Sequence, residues 1–196
     1  KEIIIDEETA EEILDGSEIA MDALILHRTR YLHIAGYFIL PGLLDQHFKK
    51  ILRKVREAEI SISLDVVTSP AMEAPDPLWE ILPEINTFFC NQSEARLLSN
   101  RKNPREAARW IFEQGPDTVV IKLGSEGCFF LTGKHSDLIP STPVQNLIDT
   151  TGAGDAFAAG FLAARLRGED LPAACAAGNL SGARAVQHVG AVQIPE

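Results

Sequence analysis

Basic residues are scarce in this chain: 18 Lys and Arg stand against 28 Asp and Glu, for a formal net charge of −10. A nucleic-acid surface neutralises backbone phosphates with clustered Lys and Arg, so no nucleic-acid partner is expected. An anionic ligand must instead be held by local N–H groups, a metal and a few cations, not by a global positive field. Cysteine is scarce too. Cys90, Cys128 and Cys175 are odd in number, widely spaced and form no C-x-x-C. That pattern excludes a disulfide frame or a zinc site and reads as small buried hydrophobes in a reducing, cytoplasmic setting. No apolar run reaches membrane-spanning length, and the stretch from Lys1 lacks a signal-peptide pattern, so no membrane partner is expected. The histidines (His27, His33, His47, His135 and His188) show neither metal-ligand spacing nor a nucleophile partner and read as surface or strand-end residues. Also missing is a Gly-x-Gly-x-x-Gly after a first strand, which argues against a nicotinamide-dependent Rossmann enzyme.

What is present suits one domain spanning residues 1–196, with 45% hydrophobic and 23% charged residues. Residues Tyr31–Leu40 read as a strand ending at Pro41-Gly42. Leu44, Phe48, Ile51, Leu52 and Val55 then recur at helical spacing, with Pro41 suited to the first turn. Ile60–Val67 reads as a strand with Ile60, Ile62 and Leu64 on one face. A loop with Pro75 and Pro77, a helical turn Trp79–Leu82 and a strand Ile85–Cys90 follow. Gln92–Ser99 and Pro104–Gln114 read as helices, and Thr118–Leu123 as a strand covered on both faces. Gly124–Gly127 turns that strand into an antiparallel partner, Cys128–Thr132. Asp155–Arg167 and Leu171–His188 read as closing helices rich in small residues. Strands alternating with helices imply an α/β fold with a mostly parallel sheet and right-handed crossovers. Residues 1–30 resist assignment: Lys1–Asp6 suits a strand, and Thr9 with Glu12 suits a capping box that Gly16 interrupts.

The run Asp149-Thr150-Thr151-Gly152-Ala153-Gly154-Asp155-Ala156-Phe157 carries most of the chemical information. At a helix start the first N–H groups lack partners and the macrodipole is positive, which favours an anion. Gly152, Ala153 and Gly154 add no bulk to keep a phosphate away. A carboxylate at Asp155 would repel that phosphate, unless the acid serves a hydroxyl that attacks it. The bland alternative is a glycine-rich turn with an ordinary N-terminal acid.

This run, followed by Ala-Ala-Gly-Phe-Leu, resembles the C-terminal signature of the ribokinase-like (PfkB) carbohydrate kinases. The resemblance covers roughly Leu32 onward and implies a three-layer ribokinase-like fold. It implies that the loop Gly152, Ala153, Gly154 is an anion hole and that Asp155 is the catalytic base. Burial beside phosphate would suit Asp155 to that task. It also implies ATP and Mg²⁺ as cofactors and a sugar as small-molecule substrate, with a homodimer as one expected assembly.

Most of the other motifs carry two readings. Asn91-x-x-Glu94 follows a strand at the sheet edge where open α/β folds bind ligands. It is either a helix cap or, as in the resembled family, an element that places Mg²⁺ and phosphate, and the two are compatible. Lys122, with Gly124 and Gly127, either reaches the nucleotide phosphates or leaves the sheet edge for solvent. Asn179, flanked by Gly178 and Gly182, falls where the family borders adenine, or is one polar position in a packing helix. Asp149 and Thr151, with backbone from Val186–Ala191, match a monovalent-cation region of several relatives and suggest K⁺. Asp65 closes a strand and either orders the site, as the matching acid does in relatives, or is solvated.

Before residue 40 there is no Gly-Gly and no Gly-x-Asn, so the family's N-terminal sugar-binding and lid portion is not recognisable. The sequence therefore supports phosphoryl transfer to a sugar or sugar-like hydroxyl better than it names the acceptor, and vitamin-precursor kinases share the fold. If the chain is complete, weak or no kinase activity is expected. The alternative is a catalytically silent relative that binds nucleotide or regulates a partner.

Overall fold

Strand-forming apolar runs and helix-forming amphipathic runs alternate along this chain, and in the computed structural model they form one continuous sheet with helices on its two faces. The structure describes residues 2–5, 29–39, 43, 46–68 and 75–190. The predicted capping box at Thr9, His27, Pro41 and residues 191–196 lie outside these. The strands are β1 (Glu2–Ile5), β2 (Tyr31–Ala35), β3 (Ser61–Asp65), β4 (Thr87–Asn91), β5 (Thr118–Lys122), β6 (Cys128–Thr132) and β7 (Ser136–Ile139). The helices are α1 (Gln46–Glu57), α2 (Asp76–Ile81), α3 (Gln92–Ser99), α4 (Pro104–Phe112), α5 (Ala153–Leu166) and α6 (Leu171–Ala185).

Strand order in the sheet follows chain order from β1 to β7. The pairs from β1 to β5 are parallel, whereas β5–β6 and β6–β7 are antiparallel. Right-handed crossovers that always advance in one direction put their helices on one face. Alternation along the strands shows this directly. Leu32, Ile34, Ile62, Leu64, Phe88, Cys90, Val119, Ile121 and Phe129 join the helices α1 to α4 in one core. Phe89, Val120, Cys128 and Phe130 point the other way and pack against Phe157, Phe161 and Leu162 of α5 and Cys175 of α6. All three cysteines are free and buried within these cores.

One strand is shorter than expected and one is additional. The strand expected over Tyr31–Leu40 stops at Ala35, because Gly36 adopts φ +69° and Tyr37–Ile39 curl into a 3-10 turn. Edge strand β7 was not foreseen from Ser136–Ile139, since its residues are largely exposed and show no buried alternation. Among the described residues, no helix is long and apolar enough to cross a membrane.

Candidate active site

The carboxyl ends of the parallel strands and the start of α5 converge on one edge of the sheet. Gly152 is the N-cap of α5 at φ +75°, a conformation that L side chains rarely tolerate, and no side chain caps this helix. The Ala153 N–H donates to the Thr150 carbonyl at 3.2 Å, closing a tight turn. Among the described residues, the N–H groups of Gly152, Gly154 and Asp155 meet no acceptor. Two of the three expected cradle amides are thus free, while that of Ala153 is spent on the turn. Asp155 lies in the first turn of α5 and is exposed, so the burial expected for it is not found.

Asp149 organises the approach to this loop. Its Oδ1 accepts the Thr151 N–H and its Oδ2 accepts the Gly190 N–H, each at 2.9 Å, tying the loop to the turn after α6. These bonds, that from Gly190 foremost, hold its carboxyl below the usual carboxylate range.

Beneath the loop lies a buried ion pair. Lys122 Nζ is 2.5 Å from Asp65 Oδ2, with the two side chains 16% and 6% exposed. The strands explain the meeting: Asp65 stands opposite Phe89 in the β3–β4 register, and Lys122 opposite Asn91 in the β4–β5 register. Lys122 therefore reaches across β4 to Asp65. This corrects two readings: Asp65 is not solvated, and Lys122 does not leave the edge for water. Burial pushes the Asp65 carboxyl above its usual range, and the Lys122 ammonium pulls against that shift. A Cβ at Gly154 would stand 3.2 Å from Lys122 Nζ, so the ammonium fills the space that this glycine leaves.

Asn91 and Glu94 form the expected capping box of α3. The Asn91 side chain accepts the Glu94 N–H at 2.9 Å, and Glu94 Oε2 accepts the Asn91 N–H at 2.7 Å. Glu94 is buried, which raises its pKa; the Asn91 N–H and the Lys122 charge oppose that rise. Among the described residues, no three His, Cys, Asp or Glu side chains cluster as a metal cage. A cation at Glu94 therefore relies on oxygens from elsewhere, as Mg²⁺ does when phosphates and water complete its shell.

Gly124 and Gly127 shape the β5–β6 connection differently. At Gly124 an added Cβ meets nothing within 4 Å, so this side of the turn is open. At Gly127 it would meet the Ile139 carbonyl oxygen at 2.0 Å, so the hairpin requires glycine here. Asn179 is buried and its Nδ2 donates to the carbonyls of Ile139 and Pro140, which fixes the segment leaving β7. Gly178 faces the Phe157 ring, with a Cβ position 2.9 Å from it, so its missing side chain makes room for that ring.

Sequence reasoning missed His33, a buried residue in the middle of β2. Its Nδ1 is 2.9 Å from the Ser63 hydroxyl, and burial, aided by the Lys122 charge, lowers its pKa to about 4. Its placement opposite Ser63 in the β2–β3 register was the available signal, but register is not readable from one strand.

Residues 1–196 match the family model described as pfkB family carbohydrate kinase. The chain is 32% identical over 160 residues to an uncharacterized sugar kinase of Archaeoglobus fulgidus, covering 82% of this chain and 62% of that protein. It is 31% identical over 170 residues to 2-dehydro-3-deoxygluconokinase of Bacillus subtilis, covering 82% and 51%. Aminoimidazole riboside kinase from Salmonella enterica, solved with aminoimidazole riboside and an ATP analog, matches with a TM-score of 0.71 at 27% identity, covering 83% and 59%. The chain thus spans between 51% and 62% of the length of these three.

Proposed function

Since the chain belongs to the pfkB family of carbohydrate kinases, we propose that it carries the phosphoryl-transfer site of an ATP-dependent kinase acting on a hydroxyl of a sugar or sugar-like molecule. The observation that carries this reading is the start of α5: unsatisfied N–H groups at Gly152, Gly154 and Asp155, with the Asp155 carboxylate exposed beside them. The free amides and the helix dipole stabilise charge on the moving phosphoryl group, together with the small residue Ala153 that lets it approach. Asp155 accepts the hydroxyl proton as that oxygen attacks phosphorus, and loss of the proton is what makes the oxygen nucleophilic.

The nucleotide runs over the open side of Gly124, with Gly127 holding the hairpin and Asn179 holding the segment after β7 in place beside it. Lys122 supplies positive charge beneath the loop. Glu94, positioned by Asn91, retains acceptor capacity beyond its bonds from the Asn91 and Thr68 N–H groups and fits a water-mediated hold on Mg²⁺. Bound there, the metal would screen the negative charge of the phosphates. Asp149 and Thr151, tied to the turn ending at Gly190, are the candidates for a K⁺ site. A K⁺ titration in sodium-free buffer should then raise turnover, and a flat response removes that part of the reading.

The main test is Asp155→Asn. Loss of a general base should cut turnover by about 10²- to 10⁴-fold, while the KM for ATP stays nearly unchanged. A coupled ADP-release assay across a panel of sugars, on the full-length protein, measures both. Undiminished turnover in this variant refutes the assignment.

A further inference from the structure

We infer that Asp65 is a positioning residue: it fixes the Lys122 ammonium against Gly154, so that the anion site at the start of α5 contains a built-in positive charge. This rests on the reading of that loop as a phosphate site and goes beyond it. That reading alone leaves Lys122 an undirected point charge and does not say through which contact Asp65 orders the site.

Geometry supports the assignment first. The pair closes at 2.5 Å, and the ammonium lies within 3.2 Å of where a Gly154 Cβ would stand. Any larger residue at 154 would displace either the loop or the lysine. An ammonium has three N–H donors, and the Asp65 bond uses one. The others remain for an acceptor at the loop. Asp65 itself is 4% exposed, and its Oδ1 has no hydrogen-bond partner among the described residues.

Energetics point the same way. Burying two charges costs desolvation that their attraction offsets incompletely, so well-packed apolar residues often serve stability better. A buried pair at the strand ends is therefore weak as a stabilising device. Its use is directional: a lysine is a flexible stem, and an ammonium held by a buried carboxylate keeps one position. Charge balance supplies the need, because a chain of net charge −10 repels a polyphosphate at long range and must attract it locally. The described ion pairs of Lys49, Arg53, Arg56 and Arg167 join these cations to other acids, whereas Lys122 is the cation set against the loop.

The test uses the full-length protein with ADP as probe, in titration calorimetry, alongside kcat, the KM for ATP and thermal midpoints. Lys122→Met leaves Asp65 buried and unpaired and should lower the midpoint sharply. Adding Asp65→Asn makes the pair neutral, so Asp65→Asn/Lys122→Met should recover most of that midpoint. Its ADP affinity should nonetheless stay about 10- to 100-fold below wild type, the worth of a charge-assisted bond. Asp65→Asn alone should weaken ADP severalfold and lower kcat although Lys122 is present. ADP affinity within twofold of wild type in the double variant makes the pair merely structural and overturns the inference. Unchanged ADP affinity and kcat in Asp65→Asn remove Asp65 from the role. Wild-type protein that binds no ADP would instead sink the phosphate reading itself, a separate outcome.

Discussion

A methyl group at position 127 would collide with the Ile139 carbonyl oxygen at 2.0 Å, and the residue sits at φ +97°. Both facts demand glycine. At Gly124, φ is +61° but the Cβ direction is empty. Gly124→Ala should cost only about 1 kcal/mol, the penalty of a left-handed backbone. Gly127→Ala should cost roughly 3 kcal/mol or more, because steric displacement of β7 adds to strain. Urea denaturation of both variants checks the contrast, and equal losses would mean the hairpin does not depend on this close approach. Both glycines were legible in the sequence as turn formers. That one faces open space and the other faces backbone was not, because the partner strand β7 lacks the alternation that would announce it. Asp65 and Lys122 teach the same lesson. Each reads as a strand-end residue, and 57 positions separate them. Only the parallel registers of β3, β4 and β5 bring them together.

Elements in this protein are defined by which face each strand residue takes. Gln92–Ser99 and Pro104–Gln114 were readable as helices because their Asn caps and N-terminal Pro are local signals. His33 was misread because burial of a polar residue in β2 depends on Ser63 of a different strand. Its consequence is testable. The folded-state pKa is lowered from 6.5 to about 4, so the unfolded chain takes up the proton first as pH falls. The folded state is then favoured fully above pH 6.5, and that contribution declines steadily down to about pH 4. The loss is about 2 kcal/mol by pH 5. Asp65 and Glu94, whose burial raises their carboxyl values, act in the opposite sense over their own range. Comparing wild type with His33→Gln isolates the histidine: the variant should lose less stability between pH 7 and pH 5 in urea titrations. Identical slopes would mean that His33 titrates in the folded state as it does in the unfolded chain.

At the scale of the whole molecule, the sheet separates two cores of unequal size. One face carries α1 to α4 over a broad apolar surface. The other carries α5 and α6 on a smaller cluster around Phe89, Phe130, Phe157 and Phe161. The helices α5 and α6 also approach closely, since a Cβ at Gly160 would lie 2.2 Å from Ser181 Oγ. They should therefore open as one unit and at lower free energy than the larger core. Hydrogen exchange should show α5 and α6 amides exchanging together, before those of β3, β4 and β5. ADP should slow exchange at the start of α5 most, because its free amides are the proposed contacts. Independent exchange of the two helices would contradict this packing argument.

The α/β class, most helix boundaries, the β5–β6 hairpin and the loop ending in Asp155 were determined by the sequence itself. Each depends on residues close along the chain: periodicity, caps, turn glycines and a contiguous motif. Tertiary structure alone decided which loop amides stay free, which face each strand residue takes, and that Asp65 holds Lys122 under Gly154. Those outcomes depend on strand register and helix placement, which bring distant residues into contact and leave no local trace.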